Sequence, residues 1–177
     1  MTFANLSSYL DALRQRGELV TIEAEVDPHL EIAEIHRRVI AAGGPALLFT
    51  KVKGKRFPVA TNLYGTSARI DLAFGPKPLA FIKQIAAIPE ELLPPSLGKI
   101  WGLRGLALPM LKVGMRTVSA APVLKNRLDD LTALPALTSW PEDGGPFITL
   151  PLVHTQSVGA GHKPDNLGMY RVQIHDG

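Results

Sequence analysis

The 177-residue chain contains no cysteine. Disulfides, thiolate zinc sites, iron–sulfur clusters and thiol nucleophiles are therefore excluded together, which suits a cytoplasmic protein. No apolar run approaches the roughly 18 residues that a membrane span needs, because Lys, Glu, Pro and Gly interrupt every candidate. The opening MTFANLSSYLDALRQ places Asp11 and Arg14 inside its apolar pattern and lacks the basic start and apolar block of a signal peptide. A cytoplasmic protein without a transmembrane segment is the expectation. Zincin, Walker A, Rossmann-glycine and GxSxG motifs are missing, and SVGAGHKP offers GAG without a third glycine or a following helix. There is no internal repeat and no low-complexity run, which removes solenoid and linker architectures.

What is present is the composition of a packed protein, 46% hydrophobic and 20% charged. The length allows one ordinary domain, or one domain and part of a second. The formal charge is +3 and the basic residues are spread along the chain, with one patch, KVKGKR, at Lys51 to Arg56. A solvated hairpin turn between ALLFT and FPVATNL, with Gly54 taking the turn geometry, accounts for that patch. A nucleic-acid site would want interleaved aromatic residues and finds only Phe57, so no nucleic-acid partner is expected.

Periodicity organises the first hundred residues as α/β. NLSSYLDALRQRGEL has Leu6, Leu10 and Leu13 at helical spacing beside Tyr9, with Gly17 at the stop. LVTIEAEV reads as a strand. After Asp27-Pro28, LEIAEIHRRVIAAGG reads as a second helix with Ile32, Ile35, Val39 and Ile40 inward and His36 on a solvated polar flank. ALLFT and FPVATNL form a hairpin, and SARIDLAFG and PLAFIKQIAAI two short helices around Gly75-Pro76. Prolines then break the chain into connectors, and a domain boundary is expected near residue 115. Beyond it TVSAAPVLK, FITLPLVHTQ and MYRVQIHD are strand-like, between turn-rich segments. In the last, Tyr170, Val172 and Ile174 alternate with Arg171, Gln173 and His175, and the pattern is still running at Asp176-Gly177. That ending leads to the expectation that the chain is the front of a longer protein.

Candidate chemistry is sparse. His154, His162 and His175 are separated by eight and thirteen positions, which matches no local ligand pattern. Glu142, Asp143, Asp165 and Asp176 fall in predicted turns and read as solvated carboxylates. The informative run is N-L-G-M-Y-R, Asn166 to Arg171. Gly168 permits close backbone approach, the Asn166 amide oxygen can serve a hard cation, and the Arg171 guanidinium can hold a carboxylate through a two-pronged hydrogen bond. A plain turn entering an exposed amphipathic strand is the alternative reading of the same residues.

The stretch DDLTALPALTSWPEDGGPFITLPLVHT followed by PDNLGMYRVQIHD resembles the UbiD family of prenylated-flavin-dependent decarboxylases, which includes 3-octaprenyl-4-hydroxybenzoate carboxy-lyase. The N-terminal L-x-x-L-x-x-x-G-E-L and the P-A-L-L-F-x-x-V-x-G segment, Pro45 to Gly54, are similar to that family's opening domain. The resemblance implies an α+β chain: an N-terminal α/β domain over 1–115, then the leading strands of a split β-barrel flavin-binding domain over 116–177. It implies non-oxidative decarboxylation of an aromatic or α,β-unsaturated carboxylic acid with prenylated FMN, a divalent metal such as manganese, and potassium. It assigns Asn166 to the metal, Met169, Tyr170, Arg171 and Thr149 to the flavin, and Arg171 to catalysis as the group that orients the substrate carboxylate. The remaining metal ligands and the acid that protonates the product find no counterpart here, so the chain alone is expected to be inactive, and the full-length enzyme to form a homo-oligomer. The rival expectation is a non-catalytic module that pairs its unfinished β edge with another chain.

Overall fold

In the computed structural model, residues 3–75, 83, 86, 119–121, 125–156, 158 and 166–175 are described. Most of PLAFIKQIAAI, the proline-rich stretch with the boundary expected near residue 115, most of TVSAAPVLK, and His162, Asp165 and Asp176 lie outside them. Thr2–Ala73 and Leu128–Gly177 together make one compact unit; Phe74–Arg127 belongs to a second, of which only a few positions are described.

Helix α1 (Leu6–Gln15) begins where Asn5 and Ser8 cap each other: the Asn5 side chain accepts from the Ser8 amide at 2.9 Å, and Ser8 Oγ accepts from the Asn5 amide at 3.3 Å. It ends at Gly17, whose φ of 71° lets the Glu18 amide reach back to the Leu13 carbonyl. Its buried stripe is centred on Tyr9 and Leu13; Leu6, which shares the helical spacing of Leu10 and Leu13, is 53% exposed. Strand β1 (Leu19–Val26) leads to α2 (Glu31–Ala41), which returns the chain to β2 (Ala46–Val52), parallel to β1. β2 turns at Gly54, φ 67°, into antiparallel β3 (Val59–Thr61), so the expected hairpin is present. Lys53 of that turn pairs with Asp27 at 2.9 Å, and Lys55 donates to the Thr132 carbonyl.

Strand order is β1-β2-β3, and the central β2 is apolar on both faces, which explains its unbroken ALLF run. Leu47 and Phe49 meet Ile32, with Ile35 and Val39 of α2 packed against them; Ala46 meets Tyr9 and Leu13 of α1, with Leu72 and Ala73 of α3 (Ser67–Phe74) alongside. Phe49 is fully buried, which stabilises by about 2–3 kcal/mol from its area alone. Ile40, expected inward, lies at the exposed edge of α2. His36, expected on a solvated flank, is instead half-buried; burial pushes its pKa down, and its Nδ1 has no hydrogen-bond partner among the described residues. Helix periodicity does not fix how deeply positions at the edges of an apolar stripe are covered.

After a short 3₁₀ turn at Leu131–Ala133 the chain lies against the α/β layer. Leu30 N–H donates to the Thr138 carbonyl at 2.9 Å and Thr138 N–H to the Pro28 carbonyl at 3.2 Å, while Leu137 packs on the α2 core cluster. Two antiparallel ladders follow: β4 (Phe147–Ile148) pairs with β7 (Val172–Gln173), and β5 (Leu152–Thr155) with β6 (Asn166–Met169). The two expected continuous strands, FITLPLVHTQ and MYRVQIHD, are each broken, the first at Thr149–Pro151 and the second at Tyr170–Arg171. The physical reason is Pro151, which has no N–H to offer a ladder. Tyr170 and Val172, expected to form a buried face with Ile174, are 50% and 37% exposed. Among the described residues no helix is long and apolar enough to cross a membrane.

A buried polar knot ties α3 to the sheet. Arg69, 2% exposed, donates to Glu18 at 2.7 Å and to the Gly44 carbonyl at 3.1 Å. Tyr9 Oη bonds to the carbonyls of Leu63 and Arg69, and Asn62, held at φ 55°, donates to the carbonyls of Gly44 and Pro45. Arg69→Ala should cost about 2–4 kcal/mol, discounted because Glu18 is 41% exposed and can rehydrate. Urea denaturation checks this, and a loss below about 1 kcal/mol would contradict a stabilising role for the knot.

Candidate anion site at the Arg171 bulge

Between the two ladders the register shifts by one. Ile148 pairs with Val172 and Leu152 with Met169, so three residues, Thr149 to Pro151, stand opposite two, Tyr170 and Arg171. This is a bulge, and bulges re-aim the side chains beside them. The Tyr170 N–H still reaches the Pro151 carbonyl at 3.3 Å, while Arg171 leaves the ladder.

Arg171 turns onto the W-P-E-D-G-G-P-F segment. Its Nη1 donates to Asp143 Oδ1 at 3.0 Å and its Nη2 to Asp143 Oδ2 at 2.6 Å. The guanidinium carbon lies 3.7 Å from the Phe147 ring centre and 5.2 Å from that of Trp140, so the cation also meets two aromatic faces. Asp143 is fixed in turn, since its Oδ2 accepts the amides of Ser139 at 3.0 Å and Trp140 at 3.2 Å. Gly144 and Gly145 leave room for Gln173 to cross, and Gln173 donates to the Gly144 carbonyl at 2.7 Å. The Arg171 guanidinium holds the Asp143 carboxyl well below the usual range, at about 2, and Asp143 raises the Arg171 pKa in return. Asp143 is thus not the solvated turn carboxylate expected from sequence: its side chain is 11% exposed and paired. Sequence reasoning does not single out Trp140, Asp143 and Phe147 as a group. The available signal is a carboxylate four residues after Ser139, the spacing of a side chain that closes its own turn, flanked by two aromatic residues.

The other candidates do not all share one face. Asn166 and Gly168, expected in a turn, lie in β6. The Tyr170 ring lies over Gly168, where an added Cβ would meet it at 2.5 Å, and the Asn166 amide nitrogen reaches the Tyr170 hydroxyl at 3.2 Å. The close approach that Gly168 permits is thus taken by Tyr170. Asn166 Oδ1, the atom a hard cation would take, accepts no hydrogen bond among the described residues. Strand alternation sets Met169, 65% exposed, on the opposite face with Leu152 and Leu167. Thr149 is exposed in the bulge itself. Among the described residues no three His, Cys, Asp or Glu side chains converge on a possible metal position.

A cavity of about 920 Å³ is walled mostly by apolar side chains from α2, from β3 and its following loop, and from residues 134–150; Arg171 and Asp143 are not part of its wall. Trp140 and Phe147, the rings that meet the guanidinium, and Thr149 contribute to its wall, as does His36. The oriented guanidinium and the largely apolar hollow are thus joined only through Trp140 and Phe147, which meet the first and line the second.

Two family models match this chain: the 3-octaprenyl-4-hydroxybenzoate carboxy-lyase N-terminal domain over residues 10–88 and the 3-octaprenyl-4-hydroxybenzoate carboxy-lyase Rift-related domain over residues 116–177. An uncharacterized protein of Chlamydia trachomatis is 49% identical over 175 residues, 97% of this chain and 30% of that protein. A 4-hydroxybenzoate decarboxylase subunit from Chlamydia pneumoniae is 43% identical over 170 residues, 95% of this chain and 28% of that protein. An evolved dimeric form of the UbiD-class enzyme HmfF from Pelotomaculum thermopropionicum, in complex with prFMN, superposes with a TM-score of 0.64 at 26% identity, covering 97% of this chain and 36% of that one. The chain belongs to the UbiD family, and its mixed helix-and-strand fold is that of UbiD-class enzymes over part of their length. It spans about 30% of the length of the curated relatives it matches.

Two outcomes test this geometry. Asp143 has its pKa depressed from 3.8 to about 2, so its pairing adds stability above pH 3.8 that is lost as pH falls through about 2. The Asp143→Asn variant should therefore lose less stability than the wild type between about pH 4 and pH 2, read as Tm against pH; equal acid sensitivity would refute the pairing. Gly168→Ala should drive the Tyr170 ring off β6, seen as loss of contacts between the Tyr170 ring protons and residue 168 in NMR. An unmoved ring would refute the packing.

Proposed function

We propose that this chain carries the N-terminal α/β domain and the leading strands of the split-barrel flavin domain of a cytoplasmic decarboxylase that acts on an aromatic or α,β-unsaturated carboxylic acid. The observation that carries this reading is the Arg171 guanidinium, oriented at a strand bulge against Trp140 and Phe147, within the N-L-G-M-Y-R segment of a UbiD-family chain.

The residues fit the family's cofactor in kind. Asn166 offers an amide oxygen without a hydrogen-bond partner among the described residues for the divalent ion, manganese in this reading, and Tyr170, whose hydroxyl meets the Asn166 amide nitrogen, offers an exposed contact beside it, while Thr149 is exposed at the bulge, at the other end of β6. Met169 lies on the other face of the hairpin, so we assign it main-chain contact only. Bound there, prenylated FMN would supply the electron sink that decarboxylation requires. Among the described residues no three His, Cys, Asp or Glu side chains could complete a metal site, and the remaining metal ligands, a potassium site, the acid that protonates the product and the homo-oligomer contacts are assigned to none of them; the chain spans about 30% of its relatives' length.

Arg171 would bind the substrate carboxylate by charge-assisted hydrogen bonds and hold its carbon–carboxylate bond in one orientation. Trp140 and Phe147 would exclude water from one side of the guanidinium, which strengthens its hold on an anion. Arg171→Ala in the intact protein, loaded with prenylated FMN and manganese, should lower kcat/KM for an unsaturated aromatic acid by about 10²–10³-fold with an unchanged circular dichroism spectrum. Carbon dioxide release measures this, and retained activity would overturn the proposal.

A further inference from the structure

The arginine has two usable edges, and Asp143 occupies one of them. Both terminal nitrogens of Arg171 are engaged end-on, Nη1 with Oδ1 and Nη2 with Oδ2. Among the described residues Nε donates no hydrogen bond, and the side chain is 35% exposed. Planar guanidinium geometry leaves Nε–H and the neighbouring outer Nη–H pointing the same way, a second fork suited to a second carboxylate. Asp143 can hold the first edge because it cannot itself swing: two backbone amides, of Ser139 and Trp140, grip its Oδ2.

We propose that Asp143 is a positioning residue: it fixes the plane of Arg171 and neutralises its charge, so that a substrate carboxylate is received on the Nε edge by direction more than by net charge. The proposal deepens the decarboxylase reading and rests on it for the identity of the anion. Asp143 stays ionised at neutral pH and is not the acid that protonates the product. Its part is geometric. Without it the guanidinium would keep its full positive charge and still attract carboxylates, but in several orientations, of which few place the scissile bond correctly.

The test compares wild type with Asp143→Asn in the intact protein. Asparagine keeps an acceptor for the Ser139 and Trp140 amides and removes the charge and the second acceptor. Two quantities are read: kcat and KM of the enzyme loaded with prenylated FMN, and the affinity of unloaded protein for benzoate across a salt series. The expected result is a kcat lowered by about 10–100-fold, while benzoate binds at least as tightly at low salt and with a steeper salt dependence, because the site has gained a net positive charge. Unchanged kcat and unchanged benzoate salt dependence would overturn the proposal. Parallel loss of both, in step with the folded fraction, would overturn it too and leave Asp143 a purely structural residue. If the asparagine variant does not fold, Asp143→Ser, which keeps an acceptor for the turn, is read by the same criteria. If the wild type releases no carbon dioxide, the decarboxylase reading fails, and the benzoate series alone still decides whether Asp143 neutralises and orients Arg171.

Discussion

Pro151 cannot donate to a β-ladder, and the arrangement of the C-terminal strands follows from that. Two strands that would otherwise pair along their whole length are forced out of step, three residues against two, and the ladder resumes on each side with its register shifted. The mismatch bends the pair and releases Arg171 from the alternation that would have pointed it into solvent. Its guanidinium then finds Asp143, Trp140 and Phe147, all from one short segment. Serine and tryptophan amides lock the carboxylate, the carboxylate locks the arginine, and the two rings cover it.

That segment is held in place by the α/β layer. Leu137 packs against the cluster of Ile32, Phe49 and Val52, and Thr138 exchanges hydrogen bonds with the loop before α2. The same loop holds Leu30 at φ 66°, a conformation that a branched-chain residue adopts at a cost of about 1–3 kcal/mol and keeps only when its surroundings demand it. The hydrogen bond from Leu30 to Thr138 is one such demand. Folding of the first sixty residues and the orientation of Arg171 are therefore linked through a few short contacts, and the polar knot around Arg69 closes the other face of the sheet. Function placed on a bulge and a turn gains its rigidity from that scaffold.

Much of the scaffold is legible in the sequence because its periodicities are local. The stop of α1 at Gly17, the strand LVTIEAEV, the helix after Asp27-Pro28 and the hairpin at Gly54 can each be read within a dozen residues. The errors have a common cause. Leu6, Ile40 and His36 differ from expectation because periodicity marks the face of a helix but not how far its edge positions are covered. The strand MYRVQIHD reads as continuous because the proline that breaks its pairing is in its partner, some twenty residues earlier. Arg171 stands out by type and by family resemblance, yet its partner Asp143 does not, since turn carboxylates are usually solvated and nothing in the sequence joins positions 28 apart.

The central claim is that Arg171 is held as a fixed fork. The most direct measurement is nitrogen-15 NMR of its guanidinium at neutral pH, with the exposed Arg16 as internal reference. Hindered rotation should give Arg171 separate, slowly exchanging Nη–H signals that collapse to one average in the Asp143→Asn variant. A single averaged Nη signal in the wild type, matching Arg16, would contradict the account.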